Sequence, residues 1–424
     1  MFGMCNRKSR IALFLVSLLV FVAFAGTAFA AEKVLKIGTL FPKTGPCAVA
    51  GQRCQAAVET AVEVINGKHA DLDVPLAAKA GLLDGYKIVL VNADTQGKPD
   101  VAKSEAERLY NQEGVYAVIG CYNSSATKPA SAVAERAKKI FMCGCSSSAA
   151  LTDRDFKYFF RLAPTDKTES AEFVELFELM NKESKAGIRT VGFIYENTEF
   201  GKHAADEGKA AATKAGFQVV ADVPFNPGAT NLNSEVQTLK AKNPDVVFGA
   251  CLGGDYTLWV RTMKQMNWLP KAAINYCTGY QDPIIAKQLG ADGNYFMGGT
   301  GYSPELGARY MKKVAAVEKI YSKKTGVAFD SDSIQEAVAM FILAQAIEKA
   351  GSTDVEKVAS VLSSAEFDSP LSLGGKVKFA PGGQNMKATS VITKLVDLKY
   401  IPVYPKSYAE DKPTFPITPW DKRK

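Results

Sequence analysis

The chain has 424 residues, 47% of them apolar, with 51 Lys and Arg against 44 Asp and Glu for a formal net charge of +7. That length exceeds what one ordinary core fills and predicts two domains. Basic and acidic residues alternate instead of forming blocks, which argues against a nucleic-acid partner, and two histidines with eight cysteines in no C-x-x-C spacing offer no metal-ligand set.

Arg7, Lys8 and Arg10 precede an apolar run over 11–25 that ends in Ala28-Phe29-Ala30. This is the pattern of a secretory signal peptide cleaved after Ala30. As a membrane anchor the run is short for roughly 30 Å of hydrocarbon, and no later stretch approaches the length needed. Residues 1–30 are therefore expected to be removed, and the remainder to act outside the cytoplasm.

From residue 34 the chain reads as strand 34–41, a Gly- and Pro-containing turn, and a helix over 51–66 whose Val58, Ala61, Val62 and Ile65 share one face. A polar insertion (67–85) leads to strand 86–91. Pro99 opens a helix that Gly114 closes, and strand 115–120, helix 127–139 and strand 140–143 follow. The same order restarts with helix 165–181, strand 190–195, helix 200–216, strand 217–223, helix 232–242, strand 245–250, helix 255–266 and strand 272–277. Gly298-Gly299-Thr300-Gly301 reads as a flexible connection. Beyond it come helices over 304–324, 331–350 and 353–364 and strands near 377–379 and 390–398. Alternating strands and helices predict the α/β class: two Rossmann-like lobes, each with a parallel sheet covered on both faces. Loops at the carboxyl ends of parallel strands would converge on a cleft between them.

Enzyme signatures are absent. The chain has no G-x-S-x-G elbow, no G-x-x-x-x-G-K-[ST] loop, no H-E-x-x-H and no G-x-G-x-x-G after a strand. His69 and His203 read as surface histidines, so no catalytic residue is assigned. What remains is small and polar: Asn123-Ser124-Ser125 after the third strand and Ser146-Ser147-Ser148 after the fourth. Hydroxyls and free N–H groups at a helix start can hold a carboxylate. Ordinary helix capping explains the same residues.

At these residues the sequence resembles the leucine/isoleucine/valine-binding family of type I periplasmic binding proteins. The resemblance rests on Ile37-Gly38-Thr39-Leu40-Phe41-Pro42 with Thr44-Gly45-Pro46, on Val118-Ile119-Gly120 followed by Ser124-Ser125-Ala126-Thr127, and on the stretch from Ser146 to Thr152. Phe160-Arg161-Leu162-Ala163-Pro164, Tyr195-Glu196-Asn197 with Phe200-Gly201, and Pro244-Asp245-Val246-Val247 extend it through the second lobe. It implies a three-segment hinge crossing near Ala163, Gly301 and Pro370, with residues 31–162 and 302–369 in lobe 1 and 163–301 and 370–424 in lobe 2. It also implies hinge closure over one small ligand, an amino acid or related carboxylate. The partner would be the membrane permease of an ABC importer, served by a monomer with no cofactor.

Carried over by position, Ser124, Cys145, Ser146 and Ser147 would hold the ligand's carboxylate and ammonium from lobe 1. Phe200, Leu252 and Thr278 would close over it from lobe 2. Two positions depart from the family pattern. Phe200 stands where a hydroxylated aromatic is usual, and Thr278 where a carboxylate is usual, so the ammonium counter-charge falls to Asp255, Asp282 or Glu196, or the ligand is not a standard α-amino acid. By default each of these acids is a solvated surface residue. A receptor or sensor of the same fold, and a binder of short amides or aromatic acids, are the alternatives.

An oxidising compartment favours cysteine pairing. Adjacent parallel strands lie about 4.8 Å apart and a disulfide spans roughly 4.4 to 6.8 Å between Cα atoms. This predicts Cys121 with Cys145 and Cys251 with Cys277 at neighbouring strand ends, and Cys47 with Cys54, for which Cys54 with Cys121 is a rival.

Overall fold

The computed structural model describes residues 33–276 and 278–423, without the Thr278 side chain. The leader expected over 1–30, and Cys277 with its pairing, lie outside the described residues. Among these residues no helix is long and apolar enough to cross a membrane.

The first lobe runs β1 (Lys33–Phe41), α1 (Ala48–Asn66), β2 (Tyr86–Asp94), α2 (Pro99–Asn111), β3 (Ala117–Gly120), α3 (Ser124–Ala137), β4 (Ile140–Cys143) and β5 (Phe159–Arg161). Its five strands are parallel in the order β2-β1-β3-β4-β5. The central β3 and β4 are buried at every position, as strands covered on both faces must be. Gly51 sets where α1 begins. A Cβ there would lie 2.1 Å from the Pro42 carbonyl oxygen, so only glycine lets the helix start this tightly against the end of β1.

The second lobe continues with α4 (Asp166–Ser184), β6 (Thr190–Glu196), α5 (Glu199–Lys214), β7 (Gln218–Phe225), α6 (Asn233–Lys242), β8 (Val246–Ala250), α7 (Gly253–Gln265), β9 (Ala272–Asn275), the single turn α8 (Thr278–Gln281), α9 (Pro283–Leu289) and β10 (Met297–Thr300). The segment 298–301 is not a flexible connection. Residues 297–300 form a buried strand between β9 and the hairpin described below. Its glycines admit large neighbours: a Cβ on Gly298 would meet the Tyr280 ring at 2.3 Å.

After Thr300 the chain returns to the first lobe. Helices α10 (Pro304–Tyr310), α11 (Val314–Thr325), α12 (Ser331–Ala350) and α13 (Val355–Ser364) follow, with the expected 304–324 helix divided in two. Helix α12 is buried nearly all round and packs on α1, the placement its continuous apolar sequence requires. Strands β11 (Glu366–Asp368) and β12 (Lys376–Lys378) pair with each other. Leu371, Leu373, Val377 and Phe379 belong to the first-lobe core, so the third crossing falls after Phe379 and not at Pro370. The hairpin β13 (Val391–Val396) and β14 (Lys399–Tyr404) then joins the second sheet, giving β14-β13-β10-β9-β8-β6-β7 with antiparallel β13 and β14.

Two of the crossings run side by side. Asn385 N–H donates to the Arg161 carbonyl at 2.9 Å, and Gln384 Nε2 donates to the Ala163 carbonyl at 2.8 Å. At the remaining crossing, Gly301 N–H donates to Ser331 Oγ at 3.0 Å. Each sheet has apolar residues buried on both faces, so the two lobes hold separate cores and meet through their strand-end loops and the hinge.

Candidate ligand site

A narrow cavity lies between the lobes, lined by Tyr122, Asn123, Ser124, Ser125, Cys145 and Ser147 from the first and by Thr198, Phe200 and Leu252 from the second. The loops that supply these residues follow β3, β4, β6 and β8, the carboxyl ends of parallel strands in both sheets.

The first-lobe wall is a set of donors. Fully buried Arg161 binds the carbonyls of Ser146, at 3.2 Å, and Ser148, and the Ser147 carbonyl accepts the Asp166 N–H at 3.1 Å. All three acceptors of this loop are thus committed to protein. The Ser148 N–H is taken by Ser124 Oγ at 3.3 Å, while the Ser147 N–H and hydroxyl meet no protein partner among the described residues. Beside them starts α3, whose first N–H groups have no intrahelical acceptor. Free donors at a helix start, with acceptors turned away, suit an anionic oxygen.

Ser146 departs from the expected set. Its hydroxyl lies 2.7 Å from Thr127 Oγ1 and donates to the Tyr122 carbonyl at 2.9 Å, which holds the β3–α3 loop to the β4 loop and commits its only proton. Ser124, Cys145, Ser147, Phe200 and Leu252 all line the cavity. Thr278 opens α8, and its side chain is outside the described set. The expected helix after Ser146-Ser147-Ser148 is a three-residue 3-10 turn, Ala149–Leu151, whose N-cap Ser148 makes no side-chain cap bond.

Tyr122, Asn123, Ser125 and Thr198 line the cavity too, beyond the residues expected from the sequence. Asn123 and Ser125 belonged to the polar run already singled out, but the resemblance carried only Ser124 over. Asn123 Oδ1 is buried without a hydrogen-bond partner among the described residues, while its Nδ2 donates to Cys47 Sγ at 3.6 Å. Tyr122 adopts φ 80°, a left-handed conformation unusual for a bulky residue and characteristic of site loops. Thr198 caps α5 by accepting the Gly201 N–H at 3.2 Å.

The three acids considered as counter-charges are all buried and not solvated as expected. Asp282 is neutralised by Arg53 across the lobes, at 2.7 and 2.9 Å. Glu196 sits behind Leu252 and accepts its N–H at 2.7 Å. Burial pushes the Glu196 carboxyl up to about 8, with a smaller push from Asp255. Burial raises Asp255 too, against the pull of the Gly228 and Ala229 N–H groups. His203 is not a free surface group either: Nδ1 lies 2.9 Å from the buried Asp166 carboxylate, whose hydrogen bond raises the imidazole.

Cys47, Cys54, Cys121, Cys143, Cys145 and Cys251 are free thiols, which overturns the pairings expected in the first lobe. Cys121 packs on one face of the first sheet while Cys54 and Cys145 pack on the other, so neighbouring strand ends do not bring Cys121 to either. Seven helical residues separate Cys47 from Cys54 by about 10 Å of rise, beyond disulfide reach. Instead Cys54 meets Cys145, and burial pushes Cys54 up to about 12, a poor thiolate.

Residues 34–397 match the periplasmic binding protein family. A relative named Leu/Ile/Val-binding protein homolog 8, from Brucella suis biovar 1, is 27% identical over 406 residues, covering 93% of this chain and 96% of its own. Among solved structures, the branched-chain amino acid transporter substrate binding protein LivJ from Streptococcus pneumoniae, in complex with isoleucine, superposes with a TM-score of 0.74 at 20% identity over 88% of this chain and 100% of that one. An ABC transporter solute binding protein from R. palustris in complex with benzoate gives 0.74 at 17% over 87% and 95%. With two α/β lobes, three crossings and an interlobe cavity at the strand ends, the chain belongs to the type I periplasmic binding protein family.

Proposed function

We propose that this chain captures one small amino acid of the branched-chain class between its lobes and hands it to the membrane permease of an ABC importer. On this reading it works as a monomer in the periplasm after loss of residues 1–30. The observation that carries it is the division of the cavity wall: free donors at Ser147 and the start of α3 on one side, apolar Phe200 and Leu252 on the other. A carboxylate takes the donors and an aliphatic side chain the apolar wall. Asn123 Oδ1 offers an acceptor to an ammonium, and the buried Glu196 carboxyl behind Leu252 would ionise beside that charge. The curated relatives bear Leu/Ile/Val-binding names, which favours the same ligand class.

A second reading, an aromatic carboxylic acid, is favoured by the absence of any charged side chain among the nine lining residues and by Tyr122 and Phe200. Calorimetric titration with L-leucine, L-isoleucine and benzoate separates the two. Micromolar binding of an amino acid with none of benzoate supports the first, the reverse supports the second, and neither ligand binding removes both.

A further inference from the structure

We infer that Arg53 is a positioning residue for ligand capture, an interlobe latch that exchanges one carboxylate for another as the lobes close. The inference rests on the capture reading above for its ligand arm only.

Arg53 lies in the second turn of α1, in lobe 1, and is buried. Its guanidinium forms a two-pronged bond with Asp282 of lobe 2, Nη1 to Oδ1 at 2.9 Å and Nη2 to Oδ2 at 2.7 Å. Its Nε faces Asp330 of lobe 1 at 3.2 Å from Oδ2. That second contact is unfinished: Arg53 Nε and Asp330 Oδ2 are both buried and neither makes a hydrogen bond among the described residues. The fork is thus bonded to Asp282, and Asp330 is left in charge contact alone. Burial works to lower the Arg53 pKa, and the charges of Asp330 and Asp282 more than reverse it.

The geometry has the parts of a two-state device. An arginine that lost a sole buried partner on opening would be left as an uncompensated charge, which is strongly unfavourable. Here Asp330 travels with Arg53, so separation of the lobes lets the guanidinium complete its bond to Asp330 while Asp282 passes to water. Each aspartate also caps a helix. Asp282 Oδ1 accepts the Ile284 N–H at 2.8 Å, and Asp330 Oδ1 accepts the N–H groups of Asp332 and Ser333 at 3.1 and 2.7 Å. Both carboxylates are therefore held in place whichever one the arginine engages. Asp282 directly follows the turn Thr278–Gln281, so the latch fixes the segment expected to close over the ligand.

Asp282→Asn tests this with little disturbance, because asparagine caps helices as well as aspartate does and only the charge is lost. The expected results are a larger radius of gyration by small-angle scattering for the ligand-free protein and a roughly tenfold weaker binding of L-leucine, carried by faster dissociation. Arg53→Lys, which keeps the charge and loses the fork, should fall between the variant and wild type in both measurements. Should Asp282→Asn fail to fold, Arg53→Lys alone decides. An unchanged radius of gyration in the folded variants overturns the latch. Failure of wild type to bind L-leucine counts against the ligand reading and leaves the scattering result to decide the latch.

Discussion

The Cys145 thiol donates to Glu336 Oε1 at 3.2 Å, and the Gly144 N–H reaches the same oxygen at 3.1 Å. The floor of the cavity is thereby pinned to α12 by one buried carboxyl, whose other oxygen has no hydrogen-bond partner among the described residues. Burial pushes Glu336 up to about 7 against the pull of these donors. Between its ordinary value of 4.5 and about 7 the folded protein keeps a proton that the unfolded chain releases. Stability then falls as pH rises through that window, by roughly 3 kcal/mol at most for this group. Glu336→Gln should flatten the fall in melting temperature between pH 5 and 7 relative to wild type. Parallel pH profiles for the two proteins would remove the carboxyl from this role.

Ser147→Ala deletes a hydroxyl that has no protein partner among the described residues and caps no helix. Affinity for the ligand should fall tenfold to a hundredfold, about 1.5 to 3 kcal/mol for a hydrogen bond to a charged group. The melting temperature should hold steady. A lowered melting temperature with intact affinity would make Ser147 a structural residue.

Glu196 bears on the nature of the ligand. With its carboxyl pushed up to about 8, it is mostly protonated at neutral pH, and an ammonium nearby would draw that proton off. Calorimetry of an amino acid at pH 7 in buffers of different ionisation enthalpy should report proton release, and Glu196→Gln should abolish the release and weaken binding by about tenfold. A benzoate-like ligand would release no proton and gain from the substitution.

Gly201 tests whether the start of α5 places Phe200. A Cβ on Gly201 would sit 2.1 Å from the Glu196 carbonyl oxygen, a backbone atom that cannot step aside. Gly201→Ala should cost about 1 to 3 kcal/mol of stability and weaken binding together with it. Gly254→Ala, where nothing lies within 4 Å of the added atom, is the matched control and should change neither.

Alternation of strands and helices was readable from the sequence because each element carries its own period: Val58, Ala61, Val62 and Ile65 on α1, and unbroken apolar residues through β3 and β4. So was the polar run Asn123-Ser124-Ser125, since helix starts need side-chain and backbone donors of that kind wherever they occur. The identity of neighbours across the chain was not. Ser146 and Ser147 are adjacent and chemically identical, yet one is tied to Thr127 and the other left free, because Arg161 grips the loop from fifteen residues away. Gly298 and Gly299 carry every local mark of a flexible link and are strand, because Tyr280 and Glu169 fill the space their missing side chains leave. Cys121 and Cys145 end adjacent strands and face opposite cores. Arg53 and Asp282 stand 229 residues apart, and nothing local to either marks the pair. Local periodicity is set by steric preferences within a few residues, whereas contact between lobes depends on how two finished sheets and three crossings place their loop ends, which no window of sequence contains.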